Sequence, residues 1–546
     1  MSLMSSLYVG TSGLQTSQNA LNTTAHNLSN IDTIGFTRQQ VLQGTRPYNL
    51  ISYNKSSVAN QETGLGVHYA KVRQVRDYFL DQAYRKESGR SMFYEVSANA
   101  VEEVESLLGE LQGEAFQNSL ENFWTSIQEL AKDPSSSVTQ GMFVQRASAF
   151  LERAQSLYSQ LSSYQDNLNT QIYQMVDKIN DYGDKIVTLN EQIRMIEAGG
   201  VESPNDLRDV RNQLLDELAQ MADISYSEEL DGSISIQIEG VDFVKNDRCY
   251  KMDMKIDATT GFYTPFWPQN ATYRVLDDGT REYNIDGAEV FNLRKEISSE
   301  LDTDIGGLKS MLRARGDHRA DYTDLQGENY DRDISQSLVM NIQAEFDQLI
   351  HCVATKVNSI LAESGYMKNA DGSPMQLFEK VATSGYDWDP ATQEWKYREE
   401  DPRYSDSLYT IGNMRINKEL LQSPSKLGFK KPDGKVDYET AEKLKAAFTE
   451  EAYTLNPNVR KKTCFVDYYT DLVSQVANTG AVCRSIALNQ EATLNSIYSA
   501  REQVVGVSSD EELSNMIKFQ NAFNASSRYI NVIDEMLEHV LTALGR

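Results

Sequence analysis

Residues 1–40, MSLMSSLYVGTSGLQTSQNALNTTAHNLSNIDTIGFTRQQ, contain a leucine at every seventh position over four heptads. A strict seven-residue apolar repeat is typical of the seam of a coiled coil rather than the broader apolar face of a globular helix. The residues four positions before these leucines are mostly small or polar, so the seam is thin. We predict an N-terminal helix that packs through its leucines and needs a partner helix. The leucines are Leu7, Leu14, Leu21 and Leu28.

The last forty residues carry a second apolar stripe, whose large side chains are spaced by threes and fours as on one face of a helix. We predict that the two terminal helices pair with each other and with neighbouring copies of the chain, and that this assembly is the function. The repeat by itself leaves open an ordinary intramolecular helix pair. The predicted packing residues of this stripe are Met516, Phe519, Phe523, Ile530, Ile533 and Leu537.

Composition excludes several classes of function. The chain has 546 residues and a formal net charge of −27, which argues against nucleic acid and anionic membranes as partners because both require clustered Lys and Arg. It has no run of about 18 apolar residues, and its N-terminus lacks the pattern of a cleaved secretory signal. The four cysteines lie far apart without a CxxC pair, so we predict free thiols, with no metal site and no cofactor.

The middle of the chain is predicted to be mainly helical. We expect helix from Asp77 to about Ser227, broken near Pro134 and again near Pro204, with one uninterrupted helix over 138–198. A further helix is expected to resume near Leu293 and to run from Leu308 to Glu363 with an interruption at Gly327. Helix returns over 463–501, and a turn at Gly506 precedes the last helix.

Two segments depart from the helical pattern. At Ile224 the apolar period changes from 3.6 to 2, and Ile234, Ile236 and Ile238 alternate with polar residues, which predicts a β-rich insert over 224–295. Residues 366–459 are less regular and are predicted to form a second, smaller mixed insert, which contains Trp388 and Trp395. The predicted fold is therefore mainly α, with paired terminal helices, a long-helix bundle and β-rich inserts on the outside.

The predicted domain boundaries follow from these patterns. An assembly domain comprises 1–60 and 505–546, and a helical bundle domain comprises 61–223, 296–365 and 460–504. The two inserts occupy the remaining ranges.

The segment after the first helix has its own signature. Gly35 permits a left-handed turn, and Asn30 and Asp32 suit a cap or a turn. The run from His26 to Gln39, with Gly-Phe-Thr-Arg at 35–38, resembles the signature of flagellar rod and hook proteins. Ile34 stands where that signature has proline. Residues 506–537 resemble the matching C-terminal signature of these axial proteins. The resemblance implies that Asn27, Asn30, Gly35, Phe36 and Arg38 shape the turn that leaves the helix.

The middle of the chain resembles one branch of these axial proteins, the FlgK family of hook-associated proteins. The similar stretches include Asn122-Phe-Trp124, 131–135, 189–193 and 205–211. The resemblance implies a non-enzymatic structural adaptor, exported by the flagellar type III apparatus to the outside of the cell, that polymerises with itself at the distal end of the hook. The implied partners are hook protein, the second junction protein and through it the flagellin filament, and a cytoplasmic chaperone on the C-terminal helix.

Three alternatives compete with this interpretation. Another axial protein, such as hook or rod protein or the second junction protein, would share the terminal signatures. An adhesin activity on residues 366–459 would add a function to the same scaffold. An enzyme carried on the inserts is disfavoured because the sequence contains neither an HExxH nor a GxSxG motif.

Overall fold

The structure is a computed structural model that describes residues 3–52, 61–109, 115–199, 203–245, 247–277, 279–326 and 330–545. The side chains of 49–52, 61–63 and 544 lie outside the description. The chain divides into two compact units. The first consists of Met1–Ser91, Lys178–Lys251 and Gln490–Arg546, and the second of Met92–Asp177 and Met252–Asn489.

Helices dominate both units, which confirms the predicted mainly α fold. The helices are α1 (Leu3–Ser29), α2 (Tyr78–Gly109), α3 (Phe116–Lys132), α4 (Ser137–Glu197), α5 (Asn205–Met221), α6 (Gly307–Arg315), α7 (Leu338–Glu363), α8 (Lys418–Gln422), α9 (Tyr438–Thr449), α10 (Phe465–Val505) and α11 (Ser509–Leu544). The 61-residue α4 confirms the predicted long central helix.

The strands are short and pair antiparallel. In the first unit they are β1 (Gln39–Thr45), β2 (Asn49–Ser52), β3 (Gln61–Thr63), β4 (Val67–Gln74), β5 (Ile224–Glu228), β6 (Ile234–Ile238), β7 (Val241–Lys245) and β8 (Arg248–Cys249). In the second unit they are β9 (Asp253–Ile256), β10 (Tyr263–Phe266), β11 (Thr272–Val275), β12 (Arg281–Asn284), β13 (Phe378–Lys380), β14 (Tyr386–Asp389), β15 (Glu394–Tyr397) and β16 (Met414–Ile416).

The first unit combines the paired terminal helices with three sheets, of which the pair β2–β3 is the smallest. β1 pairs with β4, and β5 to β8 form a four-stranded sheet in chain order. The three alternating isoleucines of β6 are buried, as the period of 2 predicted. Gly183 of α4 faces this sheet closely, since a Cβ there would lie 2.6 Å from Phe243 Cζ. Strands β9 to β12 of the predicted insert 224–295 belong to the second unit.

The second unit has one large apolar core built from α3, α4, α7, α9 and α10. Its centre is aromatic, with the ring of Phe123 stacked on Phe150 at 5.4 Å and edge-on to Phe448 at 5.5 Å. Residues 366–459 supply buried side chains such as Phe378 and Leu427 to this same core. They therefore cannot be removed without opening it.

Three helical predictions were wrong in detail. The helix expected over 308–363, with an interruption at Gly327, is broken over a longer stretch, because α6 ends at Arg315 and α7 starts at Leu338. Gly327 itself lies outside the described residues. Gly316 has φ +79°, which ends the helical conformation after Arg315, and a Cβ there would collide with the Met340 side chain, so glycine is required at this position. Residues 293–306, predicted to resume the helix, form turns and bends. An additional break precedes α3, where Ala115 is extended with ψ 145°.

Trp388 and Trp395 of the second predicted insert face each other across the β14–β15 hairpin at 5.5 Å, and Trp388 is half exposed. The four cysteines are free and partly buried. Over the described residues, no helix has the length and apolarity needed to cross a membrane.

Candidate assembly interface

The terminal helices α1 and α11 pack antiparallel against each other. Gly10 lies against Ile530, Gly13 lies against Ser526, and Asn27 reaches Glu512. The approach is close, because a Cβ on Gly10 would lie 2.8 Å from Ile530 Cγ1 and one on Gly13 would lie 2.8 Å from Ser526 Oγ. On the side of α1 the contact is thus made through glycine and other small residues rather than through large side chains.

The face of α1 that is buried consists of small and polar residues. They form a stripe through positions 10, 13, 17, 20, 24 and 27, with the alternating spacing of three and four that a heptad repeat has; Gly13 in this stripe is partly buried. Ser12 and Thr16 lie beside the stripe. Ser12 Oγ accepts a hydrogen bond from the Val67 N–H of β4 at 3.3 Å. The buried residues are Gly10, Ser12, Thr16, Ser17, Ala20, Thr24 and Asn27.

The four heptad leucines flank this small-residue stripe and do not form its centre. Leu7, Leu14, Leu21 and Leu28 are each only partly buried in the single chain. The contact with α11 is therefore made by the small residues three positions after and one position before the leucines. The packing of the leucines against a neighbouring copy of the chain stays a prediction.

On α11 the predicted stripe does face α1, but incompletely. Ile533 is buried, whereas Met516, Phe519, Phe523, Ile530 and Leu537 are partly buried. A second set of apolar side chains follows a spacing of three, four and four on the adjoining face and is exposed, with Met536 at 51%. This exposed set is Tyr529, Val532, Met536 and Val540.

The turn that leaves α1 is held by Asn27, which is 1% exposed. Its Nδ2 donates to the Gln39 carbonyl at 2.8 Å, and the Gln39 N–H donates to its Oδ1 at 3.0 Å. This exchange ties the end of the helix to the first residue of β1. Asn30 supports the same turn, because its Nδ2 donates to the His26 carbonyl at 2.9 Å.

Gly35 and Phe36 complete the turn. Gly35 has φ +81°, which is the left-handed conformation that the sequence predicted. Phe36 packs edge-on against the His26 ring at 5.5 Å, so it folds back onto the helix it follows. By contrast, Ile34 at the tip of the turn is 89% exposed.

Arg38 connects the turn to the start of α11. Its Nε donates to Glu512 at 2.9 Å, its Nη1 lies 2.7 Å from Glu511, and its backbone N–H donates to the Val505 carbonyl at 3.0 Å. Glu512 also accepts from Asn27 Nδ2 at 3.2 Å. One buried carboxylate therefore joins two residues of the N-terminal signature to the C-terminal helix.

A second carboxylate anchors the turn to α5. The buried Asp209 accepts hydrogen bonds from the Thr37 N–H at 3.3 Å and from Gln74 Nε2 at 2.7 Å. Burial raises the pKa of Asp209 to about 6, and the hydrogen bonds from Thr37 oppose that rise. This carboxylate thus fixes both the turn and the end of β4 onto one helix.

A cleft of about 650 Å³ lies beside the turn, lined by residues 30–37 and by parts of α2, α5 and α10. Arg501 lines it and pairs with Asp81 and Asp216, both at 2.8 Å. Although burial raises the pKa of Asp81, the hydrogen bond and charge of Arg76, with the charge of Arg501, hold it below its ordinary value. These ion pairs consequently hold the charged side chains in this wall of the cleft in place.

Sequence reasoning missed several of the residues that make this interface. The small-residue stripe was visible at heptad spacing but was interpreted as a weakness of the leucine seam. Glu512 is one of three acidic residues in the first turn of α11, a pattern typical of an exposed helix start, whereas its side chain is buried against Asn27 and Arg38. Asp209 carried no sequence signal, because its partners Thr37 and Gln74 are more than 130 residues away.

Comparisons with known proteins bear on the whole chain. The family described as "Flagellar hook-associated protein FlgK helical domain" matches residues 101–376. "Flagella basal body rod protein" matches 7–37, and "Flagellar basal body rod FlgEFG protein C-terminal" matches 503–543. The two terminal matches coincide with α1 and its turn, and with α11.

Relatives match over nearly their full lengths. Flagellar hook-associated protein 1 of Bacillus subtilis (strain 168) is 26% identical over 543 residues, covering 97% of this chain and 96% of the relative. The Salmonella typhimurium protein of that name is 22% identical over 566 residues, covering 97% and 98%. The flagellar hook junction protein FlgK from Burkholderia pseudomallei has a similar fold, with a TM-score of 0.53 at 13% identity over 78% of this chain and 100% of that chain.

Proposed function

The chain belongs to the FlgK family of flagellar hook-associated proteins, and from that premise we propose that it polymerises at the distal end of the hook and joins the hook to the filament. It is a structural component of the bacterial flagellum, and we propose no catalytic role for it. Its immediate partners would be further copies of itself, hook protein below, and the second junction protein above, which in turn contacts flagellin.

The proposal rests on one observation, which is that α11 is incompletely packed in the single chain. Its pairing with α1 leaves Tyr529, Val532, Met536 and Val540 exposed on one face. Contiguous apolar side chains on a helix are stabilised when a neighbour removes them from water. Tyr8 of α1 is exposed as well. We infer that neighbouring subunits cover these side chains and complete the helix pair.

The same face supports a proposed route to the assembly site. An apolar helix that is uncovered in the free subunit needs shielding in the cytoplasm, so we propose that an export chaperone binds α11 before the chain leaves through the type III apparatus. The proposed domain organisation keeps the predicted boundaries: 1–60 with 505–546 for assembly, a helical bundle, and the inserts 224–295 and 366–459, the second of which also contributes side chains to the bundle core.

The experiment is complementation of a strain from which the gene has been deleted. We expect the deletion strain to make hooks without filaments and to release flagellin into the medium. Met536→Glu should fail to restore filaments, because it places a charge in the apolar face that neighbours would cover. Asn531→Glu is the matched control, since Asn531 is exposed, points about 100° or more away from each residue of that face, and should tolerate the charge.

Two results would contradict the proposal. Filaments of normal number and length in the deletion strain would exclude the junction role. Full motility of the Met536→Glu strain would show that the exposed face of α11 is not a subunit contact. Secretion of both variants is checked in the medium, so that a failure of export is told apart from a failure of assembly.

A further inference from the structure

Two arginines of α6 are buried without a carboxylate partner. Arg313 is 5% exposed. Its Nη1 donates to Gln336 Oε1 at 2.6 Å and its Nη2 donates to the Lys295 carbonyl, while its Nε has no hydrogen-bond partner. Within the described part of the chain, no carboxylate lies within ion-pair distance of this guanidinium. Arg313 is therefore a buried cation that is held only by neutral oxygens.

Arg315 likewise forms no ion pair with a carboxylate of the described residues, although the charge of Asp317 acts on it and raises its pKa against the effect of burial. It is 2% exposed and donates to the Gly316 carbonyl at 2.9 Å, to Asn169 Oδ1 at 2.6 Å and to the Tyr263 carbonyl at 2.9 Å. Burial lowers the pKa of Arg315 to about 10, which still leaves it charged at neutral pH. Buried charges in proteins are normally paired with a charge of opposite sign. Because both of these buried arginines lie on one short helix without such a pair, we expect an anion to bind beside them.

Both arginines line an open cleft of about 690 Å³, which is within the size range of small-molecule sites. Two further arginines, Arg294 and Arg332, line it and share the single carboxylate of Asp333 at 3.5 and 2.8 Å. Arg332 and Asp333 lie on a π-helical turn, Tyr330–Ile334, a feature that is frequent at functional sites. The cleft thus combines unpaired positive charge with an unusual backbone element.

The other charges of the cleft limit what the anion can be. Asp317 lines it but is paired with His318 at 2.6 Å, and Asp286 and Glu289 contribute further negative charge. A dianion such as phosphate would be repelled by these carboxylates, whereas a monoanion would not be penalised as strongly. A carboxylate also fits the planar fork of a guanidinium through two parallel hydrogen bonds.

We propose that this cleft binds a small monocarboxylate, with its oxygens against the guanidinium of Arg313. The ligand supplies the negative charge that the fold leaves out beside α6. The site is independent of the assembly interface, because every residue that lines it belongs to the second unit.

The test titrates sodium butyrate into the purified full-length chain at constant ionic strength, with sodium chloride as the balancing salt. Calorimetry gives the affinity, and thermal unfolding gives the stabilisation. We expect saturable binding of butyrate and at least tenfold weaker binding of phosphate. Arg313→Gln should weaken butyrate binding at least tenfold. Arg319→Gln is the matched control, because Arg319 is a partly exposed arginine paired with Asp166 at 3.1 Å outside the cleft, and it should keep the original affinity.

Arg332→Gln covers the case in which Arg313→Gln does not fold, because Arg332 is half exposed and its loss should weaken butyrate binding several-fold without unfolding the chain. The proposal is overturned if butyrate does not bind saturably. It is equally overturned if both cleft variants bind butyrate as tightly as Arg319→Gln does. Arginines that served only to stabilise the loop would lower the unfolding temperature without changing its dependence on butyrate.

Discussion

Two neighbouring carboxylates, Glu511 and Glu512, contact the same arginine, Arg38, and differ mainly in burial. The Glu512 side chain is 3% exposed and the Glu511 side chain is 61% exposed, at distances of 2.9 and 2.7 Å from the guanidinium. Glu512→Gln removes a buried charge from a pair and weakens the bond from Asn27, while Glu511→Gln removes a charge that water already screens. The two variants are therefore a matched test of what holds the turn onto α11.

The expected magnitudes follow from burial. Breaking a buried ion pair by removing one partner costs about 3–5 kcal/mol. Arg38 is itself 24% exposed and keeps Glu511, so we expect Glu512→Gln to cost about 2–3 kcal/mol, at or below the lower end of that range. Glu511→Gln should cost about 0–1 kcal/mol, as for a surface pair.

The assay is amide hydrogen exchange by mass spectrometry on the full-length chain in urea. It resolves the opening free energy of peptides from α1, the turn and α11. Glu512→Gln should accelerate exchange near residues 24–39 and 509–516 and leave the core of the second unit unchanged. Opening free energies that agree within about 0.5 kcal/mol between the two variants would refute the reasoning, because burial would then not decide the value of the pair.

Two further predictions concern packing and pH. Gly10→Ala forces a methyl group to within 2.8 Å of Ile530 and should destabilise the terminal pair by about 1–3 kcal/mol. Gly141→Ala, with open space around it, should stabilise its helix by up to about 1 kcal/mol. Hydrogen exchange and urea unfolding measure the two changes in stability, and equal effects would contradict the close approach of α1 to α11. Burial raises the pKa of Asp347 to about 8. Between about pH 4 and 8 the folded chain therefore holds a proton that the unfolded chain has lost. Because of this proton, the free energy of unfolding falls by about 1.4 kcal/mol per pH unit as the pH rises. Urea unfolding at pH 5.5, 6.5 and 7.5 should show a shallower decline for Asp347→Asn, and parallel declines would exclude the assignment.

Local pattern was sufficient for the helices and for the family. The seven-residue leucine repeat and the three-four stripe of the last forty residues predicted α1, α11 and their pairing, because apolar period is written directly in the sequence. The uninterrupted α4 and the alternating isoleucines of β6 were predictable for the same reason. Gly35 was predicted at a left-handed position because few other residues adopt that conformation without strain.

Contacts between distant segments decided the rest. The sequence alone located the helix-pairing repeat, but it did not show that Gly10 and Gly13, rather than the leucines, make the closest approach to α11. That outcome depends on which side chains of the antiparallel partner stand opposite each position. Glu512 and Asn27 are separated by 485 positions, and the close approach of Met340, on a different helix, leaves no room for a side chain at Gly316. Periodicity records which face of a helix is apolar, whereas only the folded chain fixes the distance and the neighbour, and so which of those residues is buried.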